Sequence, residues 1–156
     1  MTTRDIAELL AEHPFFEGLQ PDQLELIAGC GRNVAFGEGD QILREGADAD
    51  EFYVLRSGRV AVEIATPQGT PIVVETLGAG ELLGVSWLFP PHRWAFDAVA
   101  QERTSATALD AACLRGKCDD DPVLGYALFK RFALLMRDRL QATRLQLLDV
   151  YGGGST

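Results

Sequence analysis

The feature that most constrains the fold is a series of short apolar stretches separated by glycines between residues 32 and 110. The apolar stretches cover residues 42–43, 52–55, 60–64, 72–74, 98–100 and 106–108. The glycines between them are Gly37, Gly39, Gly46, Gly58, Gly69, Gly78, Gly80 and Gly84. Because glycine accepts the positive φ angles of tight turns, this spacing predicts many short antiparallel strands. Short strands at such intervals are typical of a β-barrel or a β-roll.

Helical periodicity precedes this region, in residues 3–30. Ile6, Leu9 and Leu10 fall on one face of a predicted helix, and Leu24 and Ile27 belong to the face of a second one. A proline separates the two apolar patterns, and another proline followed by an acidic residue opens the second helix. Residues 3–30 are therefore predicted to form two helices that pack on the strands.

A third pattern, over residues 122–151, predicts one long helix. Asp121 suits the N-cap and Pro122 suits the first helical position. The apolar stripe of this helix consists of Leu124, Leu128, Phe132, Leu135, Leu140, Leu145 and Leu148. About thirty residues at ~1.5 Å each would span roughly 45 Å, which is longer than one small roll can cover. We therefore expect a homodimer through this helix, one domain over residues 1–151, and a flexible tail at residues 152–156.

Charge and hydrophobicity narrow the choice of partners. The chain has 14 basic and 23 acidic residues, a formal net charge of -9, whereas nucleic-acid-binding domains usually present a basic face. No apolar run is long enough to cross a bilayer, and the first residues lack the apolar core of a secretion signal. The sequence therefore predicts a cytoplasmic protein that binds neither nucleic acid nor a membrane.

Cysteine and histidine content bears on metals, disulfides and catalysis. Cys30, Cys113 and Cys118 are odd in number and lack zinc-type spacing, so the sequence favours free thiols in a reducing compartment. His13 and His92 are the two histidines, too few for a metal site of the cupin type. No nucleophile–base arrangement can be built around them either. We therefore expect no enzyme activity, no bound metal and no cofactor.

Residues 42–58 resemble the first signature of the cyclic-nucleotide-binding family. That signature has two aliphatic residues, a glycine, four apolar residues and a closing glycine, which correspond here to residues 42–43, Gly46, residues 52–55 and Gly58. Leucine stands at Leu43, where valine, isoleucine or cysteine is usual. The resemblance implies an antiparallel β-roll (a double-stranded β-helix or jelly-roll) with N-terminal helices and a long C-terminal helix.

Two further segments extend the resemblance over nearly the whole chain. Residues 13–19 are similar to the family's entry segment, and residues 139–143 resemble the lid-helix segment of the catabolite activator proteins. In those proteins the residues that correspond to Arg139 and Thr143 approach the purine. The activators continue into a DNA-reading domain, whereas glycines follow Tyr151 here, so we expect a stand-alone sensor domain.

The resemblance also implies a ligand site in a phosphate-binding cassette. The residues it assigns to the cassette are Gly84, Val85, Ser86, Arg93, Trp94 and Ala95. In the family a glutamate accepts hydrogen bonds from the ribose 2′-hydroxyl and an arginine pairs with the ring phosphate. Here Val85 stands at the glutamate position. Arg93 stands at the arginine position when one counts from the cassette end, whereas Trp94 does when one counts back from residues 98–100.

We prefer the first register, because loop length varies more easily than the phosphate-binding charge. The sequence thus predicts a sensor or regulatory module that binds cAMP, another cyclic nucleotide or a related small anion in the roll. Ordinary cAMP is expected to bind weakly, because Val85 and Trp94 depart from the family pattern. The alternative is a degenerate domain that binds no nucleotide and serves protein interaction or dimerisation.

Overall fold

The computed structural model describes residues 3–152, with side chains from residue 6 to residue 149. Within this range the helices are α1 (Thr3–Glu12), α2 (Pro21–Ala28), α3 (Ala111–Asp120) and α4 (Pro122–Gly152). The strands are β1 (Gly31–Phe36), β2 (Gln41–Leu43), β3 (Glu51–Ser57), β4 (Arg59–Ile64), β5 (Ile72–Gly78), β6 (Leu82–Leu83), β7 (Asp97–Ala100) and β8 (Thr104–Asp110). Short 3-10 turns lie at Pro14–Phe16 and Ser86–Leu88.

The strands form two four-stranded antiparallel sheets that enclose the core. One sheet has the order β1-β8-β3-β6 and the other the order β2-β7-β4-β5. The four apolar residues of β3, from Phe52 to Leu55, are all buried. The sequence-based prediction of an antiparallel roll with flanking helices is therefore confirmed, including the buried strand that its signature predicted.

Glycine is required at the tight turn between β3 and β4. Gly58 has φ +99°, and a Cβ added there would lie 2.6 Å from the carbonyl oxygen of Arg103. Because that neighbour is backbone, it cannot rotate away as a side chain would. The closing glycine of the signature thus brings the β3–β4 turn against the start of β8.

Helix α4 begins as its sequence indicates and covers the roll with its first half. The Asp121 carboxylate accepts a hydrogen bond from the Leu124 amide at 3.2 Å. Leu124, Leu128 and Phe132 are buried, whereas the later members of the stripe, Leu140, Leu145 and Leu148, are 51–66% exposed. The helix extends to Gly152, so most of the predicted tail, residues 153–156, lies outside the described residues.

The prediction of free thiols is wrong for two of the three cysteines. Cys30 and Cys113 form a disulfide with their Cα atoms 5.7 Å apart. They are separated by 83 residues, and the pairing of β1 with β8 brings them together: the Asp110 amide donates to the Cys30 carbonyl at 2.9 Å. Local cysteine spacing does not reveal such a contact. The argument for a reducing compartment therefore loses its basis, and Cys118 is the free cysteine of the described chain.

Among the described residues, no helix has the length and hydropathy needed to cross a bilayer.

Candidate functional site

The predicted cassette lies between β6 and β7, where the chain leaves one sheet and enters the other. Gly84 follows β6 with φ +103°, a conformation that favours glycine. The 3-10 turn Ser86–Leu88 follows immediately and begins at Val85, its N-cap. A strand, a left-handed glycine and a short helical turn are thus arranged in succession.

Trp94 fills the space in front of Gly84. Its side chain is buried, and a Cβ added at Gly84 would lie 2.5 Å from Cη2 of the indole. The Trp94 backbone is fixed as well, because its carbonyl accepts from the Gly46 amide at 2.9 Å and its amide donates to the Ala47 carbonyl at 3.0 Å. The indole can occupy this space because Gly84 has no side chain.

Arg93 points to the other side of the same segment. Its guanidinium donates to the Gly46 carbonyl at 3.0 Å and lies 3.4 Å from the Asp48 carboxylate. The side chain is 57% exposed. To contact a ligand inside the roll, it would have to leave both partners. This arrangement favours the register in which Trp94 stands at the arginine position.

The other predicted cassette residues differ in their environments. Val85 is half-buried and packs against the hydrophobic core, so it presents only methyl groups where the family has a carboxylate. Ser86 is half-buried at the start of the 3-10 turn, whereas Ala95 is exposed. Val85 therefore provides no side-chain acceptor for a ribose hydroxyl.

The predicted lid residues lie on α4, and one of them contacts the roll. Arg139 donates to the Leu82 carbonyl of β6 at 2.6 Å, and its Nε lies 3.8 Å from the Glu75 carboxylate of β5. Thr143 is exposed and donates to the Arg139 carbonyl one turn earlier at 2.9 Å. Arg139 thus joins α4 to the strand that leads directly into the cassette.

A second connection between the cassette and the helices was missed at the sequence level. The Trp87 ring stacks on Phe52 with centroids 4.4 Å apart and meets Phe132 of α4 edge-on at 5.5 Å. The Trp87 carbonyl accepts from the Arg115 guanidinium of α3 at 2.6 Å. The apolar stripe predicted the burial of Phe132, but no local pattern indicates that Arg115 reaches the cassette.

A cleft of about 680 Å³ separates α4 from the β5–β6 turn and the first 3-10 turn. Its walls include Phe15, Leu135 and Leu82, and charged groups such as Glu81 and Arg139 lie among them. Burial raises the pKa of the Glu81 carboxyl, as does the neighbouring Glu75, and Arg139 opposes the shift. The cleft therefore combines an apolar floor with a carboxyl group whose pKa is raised.

His13 is a buried histidine beside this cleft. Burial lowers the pKa of its imidazole, and the nearby backbone of Leu55 and Glu81 partly opposes that effect. Because the folded state disfavours the imidazolium, the unfolded chain takes up a proton more readily as the pH falls through 6.5, the ordinary value. We expect the free energy of unfolding to decrease below that pH. In urea denaturation from pH 7.5 to pH 5.5, His13→Asn should show a smaller decrease than the unmodified chain.

Glu81→Gln is a control that should change the pH dependence of the free energy of unfolding in the opposite direction. Since the pKa of Glu81 is raised in the folded state, its protonation stabilises the fold as the pH falls towards the ordinary value of 4.5. Replacing it should therefore make the acid loss steeper when the denaturation series is continued to pH 4.5, the ordinary pKa value. Identical acid profiles for all three chains would contradict both assignments.

Comparison with known proteins identifies the family of this chain. Residues 33–121, more than half of the chain, match the family model described as "Cyclic nucleotide-binding domain". The "CRP-like cAMP-activated global transcriptional regulator" of Mycobacterium tuberculosis is 24% identical over 143 residues, which are 92% of this chain and 62% of the regulator. The chain thus spans less than two thirds of that relative. Human "cGMP-dependent protein kinase 2" is 30% identical over 99 residues, 63% of this chain and 12% of the kinase.

Solved structures show the same fold. A putative cyclic nucleotide-binding protein from Geobacter metallireducens has a TM-score of 0.77 and 27% identity, and the alignment covers 86% of this chain and 97% of that one. A cAMP-binding acyltransferase from Mycobacterium smegmatis has a TM-score of 0.72 and 28% identity over 90% of this chain and 42% of the acyltransferase. By its fold and its match to the family model, this chain belongs to the cyclic nucleotide-binding domain family.

Proposed function

We propose that this chain is a cytoplasmic, non-catalytic regulatory module in which the roll binds a cyclic nucleotide or a related small anion and α4 transmits the bound state. The observation that carries the proposal is the hydrogen bond from Arg139 of α4 to the Leu82 carbonyl of β6. Strand β6 leads into the cassette, so a ligand that shifts the cassette would also shift the partner of Arg139. The contact of Trp87 with Phe132 offers a second mechanical connection to the same helix.

The cassette geometry sets the ligand preference in this proposal. Val85 offers no acceptor to a ribose hydroxyl, and an unpartnered buried hydroxyl costs about 1–3 kcal/mol. Trp94 occupies the space in front of Gly84. We therefore expect cAMP to bind more weakly than it would to a cassette with the family's glutamate and arginine, and a smaller phosphate or carboxylate to be better tolerated.

Calorimetry with cAMP, cGMP and small phosphorylated compounds tests the binding step. A ligand present at about one hundred times its Kd adds about 2.7 kcal/mol of stability, which a thermal-shift assay detects easily. Hydrogen exchange of α4 tests the transmission step, and ligand should increase or decrease protection there. If no compound changes either the melting temperature or the exchange of α4, the chain is an interaction module and the ligand proposal fails.

The variant Arg139→Gln tests whether Arg139 transmits ligand binding from the cassette to α4. We expect the change in α4 exchange on ligand binding to be lost in this variant. Arg137→Gln is the matched control: it lies two residues away on the same helix, is 63% exposed, and contacts Asp138 of its own helix. Equal responses of the two variants would contradict the role assigned to Arg139.

We further propose that the second half of α4 dimerises with a second copy of the chain. Leu140, Leu145 and Leu148 are exposed on a helix whose first half is already covered by the roll. Burial of such side chains contributes about 25 cal/mol per Å², before the cost of association. We expect light scattering to give twice the 17.0 kDa chain mass, and Leu145→Glu with Leu148→Glu to give the monomer. A monomeric unmodified chain at micromolar concentration would contradict the proposal.

The chain is also expected not to bind duplex DNA specifically. Its net charge of -9 repels a polyanion at long range. An electrophoretic mobility assay at physiological salt should show no sequence-specific shift. A specific shift by the purified chain would overturn this expectation.

A further inference from the structure

A second pocket, of about 260 Å³, lies between the end of α1 and the end of β3. His13 and Arg56 both line it, and Gly80 borders both this pocket and the larger cleft. Neither residue belongs to the cassette. The pocket therefore raises a question separate from the ligand of the roll.

His13 contributes a buried hydrogen-bond donor to this pocket. The side chain is 6% exposed, and its Nδ1 accepts a hydrogen bond from the Phe15 amide at 3.2 Å. A neutral imidazole whose Nδ1 is an acceptor carries its proton on Nε2. That Nε2 is buried and has no hydrogen-bond partner among the described residues.

The backbone carbonyls of Leu55 and Glu81 lie near the imidazole and act to raise its pKa, but neither forms a hydrogen bond with Nε2. The Leu55 carbonyl accepts from the Gly80 amide at 3.1 Å, and the Glu81 carbonyl accepts from the Leu55 amide at 2.9 Å. Buried polar groups nearly always have a partner, so an unpartnered donor in a pocket indicates a missing acceptor. His13 therefore lines the pocket with an Nε2–H that has no hydrogen bond to the described residues.

Arg56 contributes a second unpartnered donor and a positive charge. Its Nε is buried without a hydrogen-bond partner in the described part of the chain, and no ion pair joins it to a described carboxylate. Arg56 is the additional residue of a β-bulge, because the register of β3 with β8 shifts between Leu55 and Ser57. Such bulges redirect a side chain from the regular alternation of a strand. A half-buried guanidinium without a counter-ion is unusual in a chain with a net charge of -9.

We propose that this pocket is a binding site for a small oxyanion, a phosphate or a carboxylate, held by the Nε2–H of His13 and the guanidinium of Arg56. Both residues line a volume suited to such a group, and together they supply two N–H donors and one fixed positive charge. Glu12 lines the same pocket and is exposed, so its carboxylate repels the anion at the rim. The site is distinct from the cassette, and its occupation does not depend on the proposed function of the roll.

Calorimetric titration of the full chain with inorganic phosphate and with acetate, in a buffer free of other oxyanions, tests the site. We expect one site per chain that depends on His13 and Arg56, in addition to any binding of these anions in the cassette. His13→Asn should weaken binding about tenfold or more, because it removes the Nε2 donor while an amide oxygen still caps the 3-10 turn. Arg56→Gln should have an effect of the same order. Comparison of the two ligands distinguishes phosphate from carboxylate recognition.

Two further variants make the test specific. Arg59→Gln removes the same charge at an exposed position of β4 that does not line the pocket, and it should leave binding unchanged. Glu12→Gln should tighten binding. The proposal is overturned if the unmodified chain binds neither anion, which would mean that the pocket holds only water, or if neither His13→Asn nor Arg56→Gln weakens any component of the binding.

Discussion

A chain carrying Val85→Glu and Trp94→Arg is expected to bind cAMP at least about tenfold more tightly than the unmodified chain. Glutamate at position 85 supplies an acceptor for the ribose hydroxyl, and arginine at position 94 supplies a counter-charge for the phosphate. Each restored interaction is worth about 1–3 kcal/mol, and 1.4 kcal/mol corresponds to about tenfold in affinity. The two groups would contact one small ligand, so their contributions need not add. Isothermal titration with cAMP measures the change directly.

The choice of position 94 follows from the two directions in which the segment points. The Trp94 ring faces Gly84 inside the roll, whereas the Arg93 guanidinium faces Asp48 outside it. Arg93→Ala in the double variant is therefore expected to leave cAMP affinity unchanged. If Arg93→Ala abolishes binding instead, Arg93 holds the phosphate and the other register is correct.

A second double variant tests the same assignment in case the first one misfolds. Removing the indole from a buried site leaves a space, and an arginine placed there without ligand would be costly to bury. Val85→Glu with Trp94→Ser avoids the buried charge and should give a smaller gain in affinity. If both double variants fold, as judged by circular dichroism, and neither binds cAMP more tightly than the unmodified chain, the cassette assignment is wrong.

Local sequence patterns predicted the roll because its turns and strands carry strong local signals. The apolar residues of β3 and the capped start of α4 are examples, and both were found where they were expected. Helix α3 was missed although Asp110 caps it, with its carboxylate accepting from the Cys113 amide at 2.8 Å. Its ten residues include a glycine and four charged residues, so it lacks an apolar period. The pairing of β1 with β8, and not local propensity, determines where α3 lies and which cysteines meet.

The sequence indicated which residues form the candidate cassette, but not the directions in which their side chains point. Neighbouring residues on an extended segment point to opposite sides, so a register error of one residue exchanges inside and outside. The directions of Arg93 and Trp94 are determined by Asp48 and Gly84, which are distant in sequence. The hydrogen bonds of Arg115 and Arg139 to backbone carbonyls are equally invisible in a single sequence, because a carbonyl has no residue-specific signature.

Phe132→Ala is expected to lower the free energy of unfolding by about 3–5 kcal/mol, the usual range for truncating a buried aromatic residue. Phe132 is 2% exposed and meets Trp87, Phe52 and Phe15 with ring centroids 4.8–5.8 Å apart. The loss of these edge-to-face contacts adds to the cost of the lost apolar burial. Urea denaturation followed by circular dichroism, at one fixed protein concentration, measures the cost.

Phe89→Ala is the matched control for this measurement. Phe89 follows the 3-10 turn of the cassette but is 49% exposed, so its truncation should cost less than about 1 kcal/mol. Equal costs for the two variants would mean that the aromatic cluster does not hold α4 against the roll. A large cost for Phe132→Ala alone would show that the helix and the cassette share one packed unit. A ligand in the cassette could then not move Trp87 without displacing the helix that carries Phe132.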